Sequence, residues 1–141
     1  MKPCFVDTSA WMATLSRKDP DHQRCAEFYH GCMQDGRPLV TSNLVIGELY
    51  TLMVYSFGPE GIETFWEFMR RIEAERLIEV RYITPELERQ AYAILKAYDG
   101  QTFSYVDATS FALMRSLRLR EAFTLDRDFE IVGFNRVPLQ P

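Results

Sequence analysis

Cys4-Phe5-Val6-Asp7-Thr8-Ser9 decides how this chain is read. Three apolar residues make a run too short for a buried helix but long enough for a strand in the middle of a sheet. The run ends on a carboxylate, and a short helical pattern through Leu15 follows at once. The same grammar recurs downstream. The apolar runs Cys4–Val6, Pro38–Thr41, Leu77–Val80, Ala122–Thr124 and Val137–Leu139 alternate with helical patterns from end to end. Such alternation predicts an α/β fold, a parallel sheet of five short strands covered by about six helices. There is no internal repeat, low-complexity tract or linker, so residues 1–141 are expected to form a single domain.

The helix boundaries follow from capping chemistry. Asp19-Pro20 reads as an N-cap with proline at the first helical position, and Gly36 closes that helix. Ser42 caps the next helix, which Gly58-Pro59 ends. Ile62, Phe65, Trp66, Met69 and Ile72 then recur at helical period. Thr84-Pro85 opens another helix, with Gly100 at its end, and Ser104 opens the last long one.

Composition excludes several classes. No stretch approaches the roughly 18 apolar residues of a membrane span, and the N-terminus lacks the apolar run of a secretory signal, so a cytoplasmic location is expected. Cys4, Cys25 and Cys32 are an odd set with no close pair, which reads as reduced core packing. His22 and His30 lack metal-ligand spacing. The formal net charge of −4 means that any nucleic acid must be engaged through a local basic patch or a bound cation, since the chain as a whole repels it.

Four carboxylates stand in apolar surroundings: Asp7, Glu48, Asp107 and Asp126. A buried carboxylate without a partner costs several kcal/mol or stays protonated. Four placed together call for a positive partner, and a divalent cation is the economical one. Each acid also has a plainer role open to it. Asp7 suits a helix cap, Asp107 completes the capping box Ser104-Tyr105-Val106-Asp107, and Asp126 suits a turn, with Asp128 two residues on. Glu48 has the weakest such alternative. It falls on the apolar face beside Val45, Leu44 and Leu52, and no Lys or Arg occurs between Pro38 and Met69. Gly47 beside it is expected to admit a close backbone neighbour. Asp7 and Asp126 follow strands, and Asp107 opens a helix, so the rim at the strands' carboxyl ends is where they should meet.

Phe5-Val6-Asp7-Thr8-Ser9, Ile46-Gly47-Glu48-Leu49, Ser104-Tyr105-Val106-Asp107-Ala108 and Phe123-Thr124-Leu125-Asp126-Arg127-Asp128-Phe129, in this order, resemble the PIN-domain ribonucleases, especially the VapC-type toxins of toxin–antitoxin pairs. The resemblance runs from Phe5 to Phe134. It implies a PIN-like three-layer α/β/α fold with a five-stranded parallel sheet, and cleavage of RNA dependent on one or two Mg²⁺ or Mn²⁺ ions. Asp7, Glu48, Asp107 and Asp126 match the family's acidic quartet, Asp128 an auxiliary acid, and Thr8 and Thr124 hydroxyl positions that orient carboxylates. On this reading Asp7 and Asp107 hold the principal ion, while Glu48 and Asp126 bind a second or orient water.

The partners implied are RNA, a second copy of the chain and a small co-encoded antitoxin whose Arg or Lys could enter among the acids. Arg115 and Arg118, on the helix that Asp107 opens, are the preferred phosphate contacts among several basic residues. The nearly all-apolar helix from Asn43 to Phe57 predicts a dimer interface near Tyr50, Val54 or Phe57. Three other readings stand beside this one. A stand-alone RNA-processing nuclease would share the same site. A non-catalytic PIN-like module would usually have lost acids. A phosphatase of the haloacid-dehalogenase type would need an acid where Ser9 stands.

Overall fold

The computed structural model describes residues 1–139; the last two residues of the expected 1–141 domain lie outside the described residues. The elements run β1 (Cys4–Val6), α1 (Thr8–Leu15), α2 (His22–Asp35), β2 (Leu39–Ser42), α3 (Asn43–Phe57), α4 (Pro59–Ala74), β3 (Ile78–Arg81), α5 (Pro85–Ala97), α6 (Tyr105–Ser116), β4 (Glu121–Phe123), α7 (Asp128–Ile131) and β5 (Asn135–Val137). All four strand pairings are parallel, and the sheet order is β3-β2-β1-β4-β5. The chain therefore winds outward from β1 to β3 and returns to lay β4 on the other side of β1. That reversal opens a crevice between the carboxyl ends of β1 and β4, where open parallel sheets place their ligands.

β1 is central and wholly buried, so all three of its residues are apolar. Phe5, Trp11, Phe111, Phe123 and Phe129 fill the interior. Phe129 lies between Phe111 and Phe5, at centroid distances of 4.9 and 6.3 Å. That wedge ties the one-turn α7 to α6 and β1 and sets the loop before it, which carries Asp126. Trp11 Nε1 donates to Thr41 Oγ1, which donates on to the Val6 carbonyl, so the polar atoms beneath α1 are satisfied. The three cysteines are buried and free, and burial pushes the Cys4 thiol up to about 12.

Capping explains most boundaries. Ser42, Thr84 and Ser104 each accept the backbone N–H three residues on. Gly36 sits at φ 71° and closes α2. Four expectations need correction. The helix expected from Pro20 begins at His22, because Asp19 Oδ1 accepts the Asp21 N–H and holds the preceding residues in a turn. The last strand is Asn135–Val137, not Val137–Leu139, since Pro138 has no N–H to continue the ladder. Helix α5 stops at Ala97, short of Gly100. Gly47 meets no atom within 4 Å of where a side chain would begin. The close approach occurs at Gly61 instead, whose missing Cβ would lie 2.1 Å from the Met53 carbonyl oxygen and so lets α4 cross against α3.

Among the described residues no helix is long and apolar enough to cross a membrane. The α3–α4 hairpin leaves Tyr55 86% and Trp66 60% exposed, with Tyr50 and Ile62 partly so. Val54 and Phe57 are half-buried, so the outward apolar surface centres on other side chains than those two.

Candidate active site

Asp7 ends β1 and begins α1, yet its side chain does not cap that helix. Its Oδ2 accepts the Thr124 hydroxyl at 2.8 Å and the Ser9 hydroxyl at 3.1 Å. It is 4% exposed. Burial pushes its carboxyl up to about 6, against the stabilising hydroxyls, and Asp107 adds to the rise.

Thr124 is the joint of the site. Its hydroxyl gives its one proton to Asp7 and accepts the Asp126 N–H at 3.0 Å. Ser9 supports it from the other side, lying 3.2 Å from Thr124 Oγ1 and accepting the Leu125 N–H at 2.9 Å. The loop after β4 is thereby fastened to the end of β1. Ser9 carries this role without having been singled out as a site residue from the sequence. Its place two residues after Asp7 was the available signal, since hydroxyl side chains bond readily to nearby loop backbone. Thr8 lines the same cleft, and its buried hydroxyl oxygen has no partner among the described residues.

Asp107 does complete the capping box. Its Oδ2 accepts the Ser104 N–H, while Ser104 Oγ accepts the Asp107 N–H. That leaves its other carboxylate oxygen outside the box. Burial raises its pKa, with Asp126 and Asp128 pushing in the same direction while the Ser104 bonds oppose them. Asp126 turns its Oδ1 to the Asp128 N–H. The Asp128 carboxyl is raised too, by burial first and by Asp126 second. Glu48 is half-buried on α3 and has neither hydrogen-bond nor ion-pair partner among the described residues.

The four acids do meet. Asp7, Glu48, Asp107 and Asp126 line one open cleft of about 330 Å³, together with Thr8, Ser9, Leu52 and Ser104. No Lys or Arg is among the described residues lining it. Of the four, only Asp7 is fully buried. The other three are half-exposed, which corrects the expectation of a wholly buried quartet and leaves them open to a ligand from solution.

The residues suit a divalent ion. Asp107, Asp126 and Asp128 each offer a carboxylate oxygen within 4.8 Å of the others. Thr124 and Ser9 both bond Oδ2 of Asp7, so its other oxygen is left without a side-chain hydrogen bond among the described residues. Mg²⁺ takes a few carboxylates and keeps several waters, which an open cleft of half-exposed acids allows.

The arginines preferred as phosphate contacts lie elsewhere. Arg115 is 8 residues beyond Asp107, about 12 Å along the helix direction, and Arg118 lies past the end of α6. Arg115 borders a groove between α5 and α6. Arg118 adopts φ 56° in the turn before β4, with Lys2 donating to its carbonyl, at the amino-end edge of the sheet. Neither side chain lines the acidic cleft.

A family model described as the PIN domain matches residues 4–135. The chain belongs to the PIN-domain family. The 23S rRNA-specific endonuclease VapC20 of Mycobacterium tuberculosis is 34% identical over 134 residues, covering 94% of this chain and 96% of that protein. The crystal structure of M. tuberculosis VapC20, described as a sarcin–ricin loop cleaving toxin, superposes with a TM-score of 0.81 at 33% identity, over 98% of this chain and 99% of that one. DNA-bound VapBC from Salmonella typhimurium shares the fold at a TM-score of 0.67 and 19% identity, covering 96% of this chain and 97% of that one.

Proposed function

We propose that this chain is a metal-dependent endoribonuclease that hydrolyses a phosphodiester bond in structured RNA as the toxin of a toxin–antitoxin pair. The observation that carries this reading is the cleft, with no Lys or Arg among its described lining residues, that gathers Asp7, Glu48, Asp107 and Asp126 at the switch point of the sheet. The 34% identity to the endonuclease VapC20 over 94% of this chain supports the reaction, and the likeness to the VapC20 crystal structure, described as a cleaving toxin, supports the toxin role. Because that relative is specific for 23S rRNA, ribosomal RNA is the first substrate to test.

Asp107, Asp126 and Asp128 would hold a Mg²⁺ or Mn²⁺ ion, with Asp7 facing them across the cleft. When bound, such an ion lowers the pKa of water and offsets charge on the scissile phosphate. The chain's own residues do the rest. Thr124 and Ser9 keep Asp7 in one orientation and fix Asp126 relative to it. Glu48, without a hydrogen-bond or ion-pair partner among the described residues, accepts a proton from the attacking water at its carboxylate. Leu52 narrows the cleft on the α3 side. No histidine is among the described residues lining the cleft, so acid–base work falls to carboxylates.

The antitoxin would act at this cleft, since a cationic side chain among the acids replaces the charge that an ion supplies. A homodimer through the outward face of the α3–α4 hairpin belongs to the same reading. The deciding experiment incubates the purified chain with 23S rRNA in Mn²⁺ or Mg²⁺ and in excess EDTA. Cleavage in the metal buffers alone is expected; equal cleavage in EDTA would refute the mechanism.

A further inference from the structure

Ser104 and Asp107 line the acidic cleft, and Tyr105 stands between them in sequence, at the first position of α6. Consecutive Cα atoms are about 3.8 Å apart, so the tyrosine is rooted at the mouth of the cleft. Its residue is 47% exposed. Phe103, two residues earlier, packs on Tyr98 and Phe111 in the interior, whereas Tyr105 is turned outward. It is not a loose surface side chain. Its hydroxyl donates to Glu88 Oε2 at 2.6 Å, across 17 positions of sequence, and so ties the start of α6 to the first turn of α5. An aromatic ring at the rim of the site is thus held at its far end and left open to solvent.

We propose that Tyr105 is a stacking platform for an RNA base on a nucleotide flanking the scissile phosphate. The proposal rests on the ribonuclease reading and adds how the strand is held beside the cut. The lining of the cleft creates the need. Its four carboxylates repel phosphates, and no Lys or Arg is among the described residues lining it, so the protein has no cation there with which to grip the backbone. A base carries no charge to be repelled, and every base has a face that stacks on an aromatic ring. Bases in RNA loops and bulges are splayed out and available for such contact. The bond to Glu88 fixes the ring beforehand, so less freedom is lost when a base lands on it. A nucleotide advances about 3.4 Å along a strand, close to the step from Ser104 to Tyr105, which assigns the base to a neighbour of the cut. A cationic peptide is the poorer occupant, because the four acids would draw its charge into the cleft and away from a neutral ring at the rim.

The test uses a 23S rRNA stem-loop cleaved in Mn²⁺, together with copies that carry one abasic nucleotide at each position flanking the cut in turn. Wild type is compared with Tyr105→Leu, Tyr105→Phe and, as a control, Tyr92→Leu, another exposed tyrosine seven residues into α5. Tyr105→Leu should raise KM about tenfold, the weight of one stacked base. Binding measured in Ca²⁺ should weaken as much with an unchanged salt slope, since no phosphate contact is removed. At one abasic position wild type should lose about tenfold and Tyr105→Leu nothing further, because both changes delete the same contact. Tyr105→Phe keeps the ring and should keep the sensitivity to that position, and Tyr92→Leu should match wild type. Wild type indifferent to every abasic position would overturn the platform and leave the ribonuclease reading intact. So would a Tyr105→Leu variant that cleaves like wild type, or one whose loss is the same on intact and abasic RNA, as a purely structural role requires. A Tyr105→Leu effect confined to binding a co-encoded protein would assign the ring to a peptide and refute the proposal. Wild type that cleaves no RNA would overturn the ribonuclease reading and this inference with it.

Discussion

Thr124 donates a 2.8 Å hydrogen bond to Asp7 across 117 positions of sequence, and the same hydroxyl oxygen accepts the Asp126 N–H. One side chain thus sets the spacing of two acids that arrive on different strands. Thr124→Val keeps the shape and removes both bonds. It should cost about 1–3 kcal/mol, because a buried carboxylate and a backbone N–H lose their partner. Cleavage should fall about a hundredfold as the acids drift. Thr124→Ser should restore most of both. Thermal unfolding and single-turnover cleavage are the measurements, and a Val variant equal to wild type would remove Thr124 from the site.

The buried Asp7 makes metal-free stability depend on pH. Its folded pKa of about 6 lies above the ordinary 3.8, so the folded state binds the proton more tightly than the unfolded chain does. Stability from this group is present below about pH 4 and is lost as pH rises through about 6, by about 3 kcal/mol. Asp7→Asn should flatten that segment of the pH profile and raise the melting temperature at pH 7 in EDTA, while abolishing cleavage. Denaturant unfolding from pH 4 to 7 would show it. An identical slope in the Asn variant would mean that Asp7 is not the group responsible.

An ion held by the acids stabilises the fold by mass action. At a hundredfold excess over Kd the gain is about 2.7 kcal/mol. Mn²⁺ or Mg²⁺ should therefore raise the melting temperature by several degrees. Asp107→Asn and Asp128→Asn should shrink the rise, because each belongs to the close group of carboxylates. Asp107→Asn should also abolish cleavage, and Ca²⁺ should not support it. Calorimetry and cleavage in each ion are the checks; a full melting shift in both variants would move the ion elsewhere.

Two glycines should respond oppositely to alanine. At Gly61 a Cβ would lie 2.1 Å from the Met53 carbonyl oxygen, so Gly61→Ala should cost about 3 kcal/mol or more by forcing α4 from α3. At Gly47 nothing lies within 4 Å, so Gly47→Ala should add roughly 0.5–1 kcal/mol. Urea unfolding of the pair decides it, and equal effects would contradict the packing described.

Tyr55 and Trp66 project from the α3–α4 hairpin with most of their surface in solvent. Contiguous apolar surface of this kind marks interfaces. Sedimentation should show a wild-type dimer and monomers for Tyr55→Glu and Trp66→Glu. A monomeric wild type at high concentration would reject the dimer.

Much of this protein is legible along the chain because the signals are local. A three-residue apolar run such as Cys4–Val6 can be buried on both faces only as a central strand. Ser42, Thr84 and Ser104 mark helix starts because their hydroxyls reach no further than the backbone three residues on. The acids Asp7, Glu48, Asp107 and Asp126 stand out because carboxylates in apolar surroundings need a reason. What depended on the tertiary structure is non-local. Only the crossing of α3 by α4 shows that Gly61, and not Gly47, is where two backbones need the missing side chain. Only the β1–β4 pairing brings Ser9 and Thr124 together on one oxygen of Asp7, and only the fold sets Asp107 beside Asp126 and Asp128. The run of α6 carries Arg115 and Arg118 away from the acids, and the packing of α1, α2 and α4 puts Arg17 and Arg71, 54 positions apart, on one hollow. Hydrogen bonds and charges act over a few ångströms in space, and distance along a chain does not report that separation.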